Sequence, residues 1–322
     1  MLHEIYDRIL GGGDITEDEA FYLTRIKGTE ILNLVSAANR VTRHFRGDRL
    51  EICSIVNAKS GNCSEDCSFC AQSSRYKTGA KIYPMAAPRE ILDQALAMER
   101  RGAKRFSLVT SGRGISDRDL EAVLITLDLL KRNTGLHLCA SLGIIDENKA
   151  LLLKQAGLTM YHHNLEAAPS FFSRICSTHT YEDRVSTILA ARKAGIGVCS
   201  GGIIGLGESP LQRVELAFEI RRLGVESIPI NFLSPIRGTP LEDSNSPLPL
   251  ICLQTLAIFR MIHPKSVIRL CGGRKDGLRE LQALAFMAGA DGVMIGDYLT
   301  TQGEELNKDF RIFADLGLEI AT

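Results

Sequence analysis

Arg105-Phe106-Ser107-Leu108-Val109, the amphipathic run 117–133, Gly135, and then Leu136-His137-Leu138-Cys139-Ala140-Ser141 decide the fold. A short apolar run, a helix-period stretch, a glycine stop and a second apolar run read as one β/α/β unit. Working outward, the same alternation recurs. Strands are expected at residues 50–56, 105–109, 136–141, 159–163, 197–203, 227–232, 267–271 and 292–295. Between them lie helical patterns at 88–101, 117–133, 147–156, 180–194, 210–223, 248–262 and 278–288, several closed by Gly102, Gly135, Gly157, Gly195, Gly224 and Gly289. Eight β/α units of about 30 residues predict an α/β protein of the (β/α)8 TIM-barrel type, with its chemistry at the carboxyl ends of the strands. A doubly wound sheet is the alternative. Residues 1–45 read as a helical extension outside the barrel, with Thr16-Glu17-Asp18-Glu19 as a capping-box start. Residues 46–322 then form the barrel and a C-terminal extension.

Composition excludes several classes. The 322 residues carry 38 Lys and Arg against 38 Asp and Glu, so no basic excess is available for phosphate backbones or anionic lipid. With 45% hydrophobic and 24% charged residues the chain is neither disordered nor a polyelectrolyte. The uncharged stretch 194–207 is glycine-rich and short of the roughly 18 apolar residues of a membrane helix. The acid-bearing start Met1-Leu2-His3-Glu4-Ile5-Tyr6-Asp7 does not read as a signal peptide. The expectation is a cytoplasmic protein that binds neither nucleic acid nor membrane.

In reducing cytosol, nine cysteines belong to the core, to metal or to catalysis rather than to disulfides. Spacing separates them. Asn57-Ala58-Lys59-Ser60-Gly61-Asn62-Cys63-Ser64-Glu65-Asp66-Cys67-Ser68-Phe69-Cys70 follows the first strand and contains C-x3-C-x2-C. Three thiolates on one short loop hold three corners of a cubane iron–sulfur cluster and leave one iron open to a small molecule. A structural zinc site or an electron-transfer cluster wants a fourth ligand, and the next His and Cys along the chain are His137 and Cys139. Cys53, Cys139, Cys199 and Cys271 fall on the first, third, fifth and seventh expected strands, which share layers in a barrel. Taken alone they read equally as buried core thiols, and whether their heights agree is not legible. Cys176 and Cys252 have no partner in sequence and are expected as core or surface thiols.

The three-cysteine loop, with an aromatic residue before its last cysteine, resembles the signature of radical S-adenosylmethionine enzymes. The longer runs around it, Cys70-Ala71-Gln72-Ser73-Ser74-Arg75-Tyr76, Tyr161-His162-His163-Asn164-Leu165-Glu166, Val198-Cys199-Ser200-Gly201-Gly202-Ile203-Ile204-Gly205-Leu206-Gly207-Glu208, Ile228-Pro229-Ile230-Asn231 and Gly238-Thr239-Pro240-Leu241, resemble the biotin synthase family.

The resemblance implies that Cys63, Cys67 and Cys70 carry a [4Fe-4S] cluster. An electron delivered to it would cleave bound S-adenosylmethionine, and the 5′-deoxyadenosyl radical would abstract hydrogen from two carbons of dethiobiotin in turn. Sulfur drawn from an auxiliary cluster would then be inserted between them. Cys139 and Cys199 stand where the family has auxiliary-cluster cysteines and Arg269 where it has an arginine ligand, but Ser107 replaces a cysteine on the second strand. Cys271, two residues beyond Arg269, is expected to supply the missing thiolate, with Cys53 as a further candidate. Both a [2Fe-2S] cluster and a four-iron variant fit that set.

Phe69, Glu166, Arg184, Gly201 and Gly202 are implied S-adenosylmethionine contacts, the glycines through close backbone approach to adenine. Asn164, Asn231 and His162 are implied on the ureido ring, and Thr300 and Thr301 on the carboxylate tail. A flavodoxin or ferredoxin as electron donor and a homodimer follow from the same resemblance. The alternatives are a sister radical enzyme whose inner cluster is not consumed, and a non-catalytic iron–sulfur carrier.

Overall fold

The computed structural model describes residues 1–321. Three helices open the chain, α1 (Leu2–Leu10), α2 (Glu17–Leu23) and α3 (Ile31–Arg46). The expected capping box is present, with Thr16 Oγ1 accepting from Glu19 N while the Glu19 carboxylate accepts from Thr16 N. These helices lie outside the barrel. Gln254, buried on a later helix, donates its amide to the carbonyls of Leu23, Thr24 and Ile26, which satisfies the carbonyls at the end of α2.

The barrel runs through β1 (Arg49–Lys59), β2 (Arg105–Thr110), β3 (His137–Ser141), β4 (Met160–His162), β5 (Gly197–Cys199), β6 (Gly202–Ile204), β7 (Ser227–Phe232), β8 (Val267–Leu270) and β9 (Gly292–Met294). All pairings are parallel, and β9 pairs back onto β1 through Ile52↔Val293, so the sheet closes. In β1, Leu50, Ile52 and Val56 are buried, while the alternate residues Cys53 and Ile55 line the barrel interior. A two-residue β10 (Glu319–Ile320) adds to the outer edge of β1.

The helices between strands are α4 (Pro88–Arg100), α5 (Asp117–Asn133), α6 (Glu147–Gln155), the single-turn α7 (Pro169–Phe172), α8 (Tyr181–Lys193), α9 (Pro210–Arg222), α10 (Pro249–Ile262), α11 (Arg274–Leu278) and α12 (Gln282–Met287), followed by α13 (Leu306–Asp315). α5 shows why they form. Ser116 caps it by accepting from Asp119 N, and Leu120, Val123, Leu127 and Leu130 bury one stripe.

Two expected elements are broken. The strand expected at 197–203 divides at Ser200-Gly201, because a Cβ on Gly201 would lie 1.9 Å from the Pro229 carbonyl oxygen and only a glycine passes. The helix expected at 278–288 is interrupted at Arg279, whose φ is +51°. There a buried network takes over. Arg274 donates to Asp309 Oδ2 at 2.6 Å and to Gln282 Oε1 at 2.7 Å, and Gln282 donates to Glu304 Oε2 at 2.7 Å, which ties α13 to the rim of the barrel. α7 and α13 were not anticipated. Among the described residues no helix is long and apolar enough to cross a membrane.

Candidate active site

The three-cysteine loop begins at the carboxyl end of β1. Gly61 and Asn62 both take left-handed backbone (φ +75° and +52°), which turns the chain over the barrel mouth. Gln72 holds the turn, its Oε1 accepting from Gly61 N and Ser60 Oγ while its carbonyl accepts from Cys63 N. Cys63, Cys67 and Cys70 thereby border one cavity of about 370 Å³. Burial pushes the Cys70 thiol up to about 11.

Phe69, His162, Asn164, Glu166, Arg184, Asn231, Thr300 and Thr301 border the same cavity. They form connected sets. Arg184 donates to the Asn164 carbonyl at 2.8 Å and lies 3.9 Å from Glu166, and the Asn164 amide donates to Glu166 Oε2 at 3.3 Å. Asn164 Oδ1 meets His162 Nε2 at 3.2 Å. Asn231 spans two glycines, its Oδ1 accepting from Gly272 N at 2.9 Å and its amide donating to Gly202 O at 3.3 Å. Glu166 is the strained member, a non-glycine residue at φ +68° whose carboxyl is pushed up by burial. Desolvation holds His162 down to about 4, so its imidazole is neutral.

Gly201 and Gly202 do not line this cavity. Their missing side chains make room for internal backbone, the Pro229 carbonyl for Gly201 and, at 2.5 Å from a built Cβ, the Glu166 carbonyl for Gly202.

Deeper in the barrel a second cavity is lined by Cys53, Ser107, Cys139, Cys199, Arg269 and Cys271. Register and strand tilt set Cys53, Cys139, Cys199 and Arg269 in one layer, each two residues beyond the register position of the one before, and Cys271 lies two residues further along. Ser107 pairs with Cys139 and His162 with Cys199, while Cys53 pairs with Arg105 on one side and Met294 on the other. Burial raises all four thiols, Cys139 to about 12 and Cys199 to about 11. Burial works against the Arg269 charge, but Cys53, Cys199 and Glu51 outweigh it and the guanidinium stays charged. It donates to the Glu51 carbonyl at 3.0 Å and the Glu51 carboxylate at 3.1 Å. The Ser107 hydroxyl is buried with no partner, an unusual condition for a polar atom. Soft thiols converging on a cationic arginine and an unsatisfied hydroxyl fit a sulfide-bridged iron cluster. The three-thiol loop above fits another.

His162 and Cys271 border both cavities, so the outer site adjoins the sulfur-rich inner one.

One cysteine was missed. Cys176, expected as an isolated thiol, lies 3.8 Å from Cys67 Sγ and 3.2 Å from His179 Nδ1. The hydrogen bond between the two sulfurs raises Cys67 and lowers Cys176. Cys176 and His179 are three residues apart on a loop reaching the cluster loop from 109 residues away, and no local spacing pattern announces that contact.

Residues 58–220 match the radical SAM superfamily model, and residues 229–319 match the Biotin and Thiamin Synthesis associated domain. The biotin synthase of Pelotomaculum thermopropionicum is 52% identical over 320 residues, covering 99% of this chain and 100% of that protein. That of Citrifermentans bemidjiense is 49% identical, covering 99% and 97%. The chain belongs to the biotin synthase family. As a member of that family it is a radical S-adenosylmethionine enzyme, and its barrel is the superfamily's. Methylornithine synthase, 19% identical, superposes with a TM-score of 0.85 over 99% of this chain and 97% of its own. A FeFe-hydrogenase maturase from Carboxydothermus hydrogenoformans, 16% identical, gives 0.82 over 98% and 78%.

Proposed function

We propose that this biotin synthase family member inserts sulfur between two carbons of dethiobiotin to form biotin, using S-adenosylmethionine in the outer cavity and sulfur from the inner one. Cys63, Cys67 and Cys70 hold the first cluster. When bound, that cluster supplies the electron that splits S-adenosylmethionine into methionine and a 5′-deoxyadenosyl radical.

The residues divide the remaining work. Glu166 accepts ribose hydroxyls, Arg184 binds the methionine carboxylate, and Phe69 completes that half. Asn164, Asn231 and His162 offer amide and imidazole groups to the ureido ring. Thr300 and Thr301 hold the carboxylate tail by their hydroxyls. Residues 46–322 act as the catalytic barrel and 1–45 as its outer brace. A dry cavity and fixed orientation protect a radical from water and side reactions.

Cys139, Cys199 and Cys271 hold the auxiliary cluster, with Cys53 available as a fourth thiolate and Arg269 beside them. Four thiols around one cavity suit a four-iron cluster as well as a two-iron one. The electron comes from a flavodoxin or ferredoxin, and the enzyme works in the cytoplasm as a homodimer.

The observation carrying this reading is that His162 and Cys271 border both cavities, which sets a substrate in the outer site against the sulfur of the inner one. Anaerobic reconstitution with dethiobiotin tests it. Formation of 5′-deoxyadenosine and biotin is expected. 5′-Deoxyadenosine from S-adenosylmethionine with no biotin would favour a sister enzyme, and neither product would favour a carrier.

A further inference from the structure

Cys67, Cys176 and His179 form a cluster of donors of which sulfur insertion uses only Cys67. One donor atom from each lies within 4.8 Å of the other two, and all three residues are buried. The sulfur–sulfur separation is that of a tetrahedral site. With metal–sulfur bonds of about 2.3 Å, two sulfurs on one tetrahedral ion stand about 3.8 Å apart. Cys67 Sγ and Cys176 Sγ are 3.8 Å apart, and Cys176 Sγ lies beside the His179 ring, 3.2 Å from Nδ1 and 3.8 Å from Nε2.

The surroundings are also those of a metal site. His179 Nδ1 lies 2.6 Å from Glu65 Oε2, and a carboxylate that takes one ring N–H fixes the tautomer that offers the other nitrogen to a metal. Glu65 is buried and held in turn by Thr178 Oγ1 at 2.8 Å. The Arg184 charge acts on both Cys67 and His179 and disfavours a bare cation. Two thiolates and a neutral imidazole cancel a divalent charge, so the loaded site is neutral where it meets that arginine.

We propose that Cys67, Cys176 and His179, oriented by Glu65, bind one divalent zinc or ferrous ion in the cluster-free protein, with solvent at the fourth position. Both ions accept mixed sulfur and nitrogen ligands in this geometry. Cys67 serves either this ion or the cluster of the three-cysteine loop, so the two exclude each other. The metal site stands without the cluster assignment, while the exclusion rests on it. A ferrous ion here is iron held one ligand away from the cluster position, and zinc here blocks cluster assembly.

The full chain, stripped of metal under anaerobic reducing conditions, is titrated with Co2+ and followed by its thiolate charge-transfer and tetrahedral absorption bands. Co2+ taken up by other thiols is common to parent and variants, so the proposed site is read as a difference. Cys176→Ala is expected to lose one equivalent of Co2+ and the absorption of a mixed sulfur and nitrogen site, and His179→Gln to do the same should the first variant not fold. Glu65→Gln should weaken that equivalent by about tenfold to a hundredfold. Cys70→Ala should retain it. One equivalent of Zn2+ added first should slow the growth of iron–sulfur absorption during reconstitution in the parent and not in Cys176→Ala.

Unchanged Co2+ stoichiometry and spectrum in both Cys176→Ala and His179→Gln would overturn the proposal. So would loss of the same equivalent in Cys70→Ala, which would put the ion on the three-cysteine loop. The cluster reading is tested apart from this, since Cys70→Ala must fail to build the cluster whatever Cys176 does.

Discussion

Asp66 Oδ1 lies 3.2 Å from Cys176 Sγ although 110 residues separate the two in the chain. The same carboxylate accepts from Ser177 N at 2.9 Å, Thr178 N at 3.2 Å and Ser177 Oγ. Burial opposes its ionisation, but these donors hold it well below the usual carboxylate range. Asp66 thus clamps the cluster loop to the segment between α7 and α8.

Removing the clamp should loosen the loop. Asp66→Ala is expected to cost roughly 1–3 kcal/mol of stability and to speed the loss of iron–sulfur absorption to a chelator. Asp66→Asn keeps an acceptor for Ser177 N and Thr178 N and should lie between. Equal bleaching rates for parent and Asp66→Ala would leave the carboxylate without that duty.

Legibility in the sequence followed the range of the interaction. The alternation of apolar runs and glycine-stopped helices marks all eight staves of the barrel, because period and punctuation are local. α5 runs over the residues read for it, Asp117–Asn133, since its cap and apolar stripe both lie within its own sequence. Cys176 was not legible, because its partners arrive from the far end of a crossover. The break at Gly201 was hidden for the same reason, being imposed by Pro229 on the neighbouring strand. The interruption at Arg279 answers to Asp309 and Glu304 on or near α13, a helix no pattern revealed. The convergence of Cys53, Cys139, Cys199 and Cys271 on one cavity depends on strand register, which spacing along the chain does not encode.

Gly201 offers a test of the strand break. A methyl group there meets the Pro229 carbonyl at 1.9 Å, a backbone atom that has no rotamer to escape into. Gly201→Ala should destabilise the barrel by more than about 3 kcal/mol, beyond the usual range for overpacking. Its denaturant midpoint checks this. A midpoint within error of the parent would show that β5 and β6 shift freely, and Gly201 would need another explanation.

Asn231 joins β7 to the turn after β8 as well as facing the outer cavity. Asn231→Ala should weaken dethiobiotin by roughly tenfold to a hundredfold, the effect of losing a buried hydrogen-bond partner worth about 1–3 kcal/mol. S-Adenosylmethionine affinity should fall much less. Calorimetric titration of both ligands into the reconstituted protein distinguishes a ureido contact from general loosening, which would weaken the two alike.

Cys271 carries the sharpest consequence for sulfur insertion. It follows β8, pairs through its amide with the Ile230 carbonyl, and has its own carbonyl held by Tyr298 Oη at 2.9 Å, so its thiol is fixed at the boundary of the two cavities. Ser107 leaves the second strand without a thiolate, and Cys271 restores one to the ring beside Arg269. Cys271→Ser changes one sulfur to oxygen with little change of volume, and oxygen is a poor partner for iron among sulfides. The variant is therefore expected to keep 5′-deoxyadenosine formation, because Cys63, Cys67 and Cys70 are untouched, and to lose biotin formation. Iron content and Mössbauer spectra should show the first cluster intact and the auxiliary one diminished. An intact auxiliary cluster with a normal biotin yield would return Cys271 to the packing of the barrel interior and leave Cys53, Cys139, Cys199 and Arg269 as the ligand set.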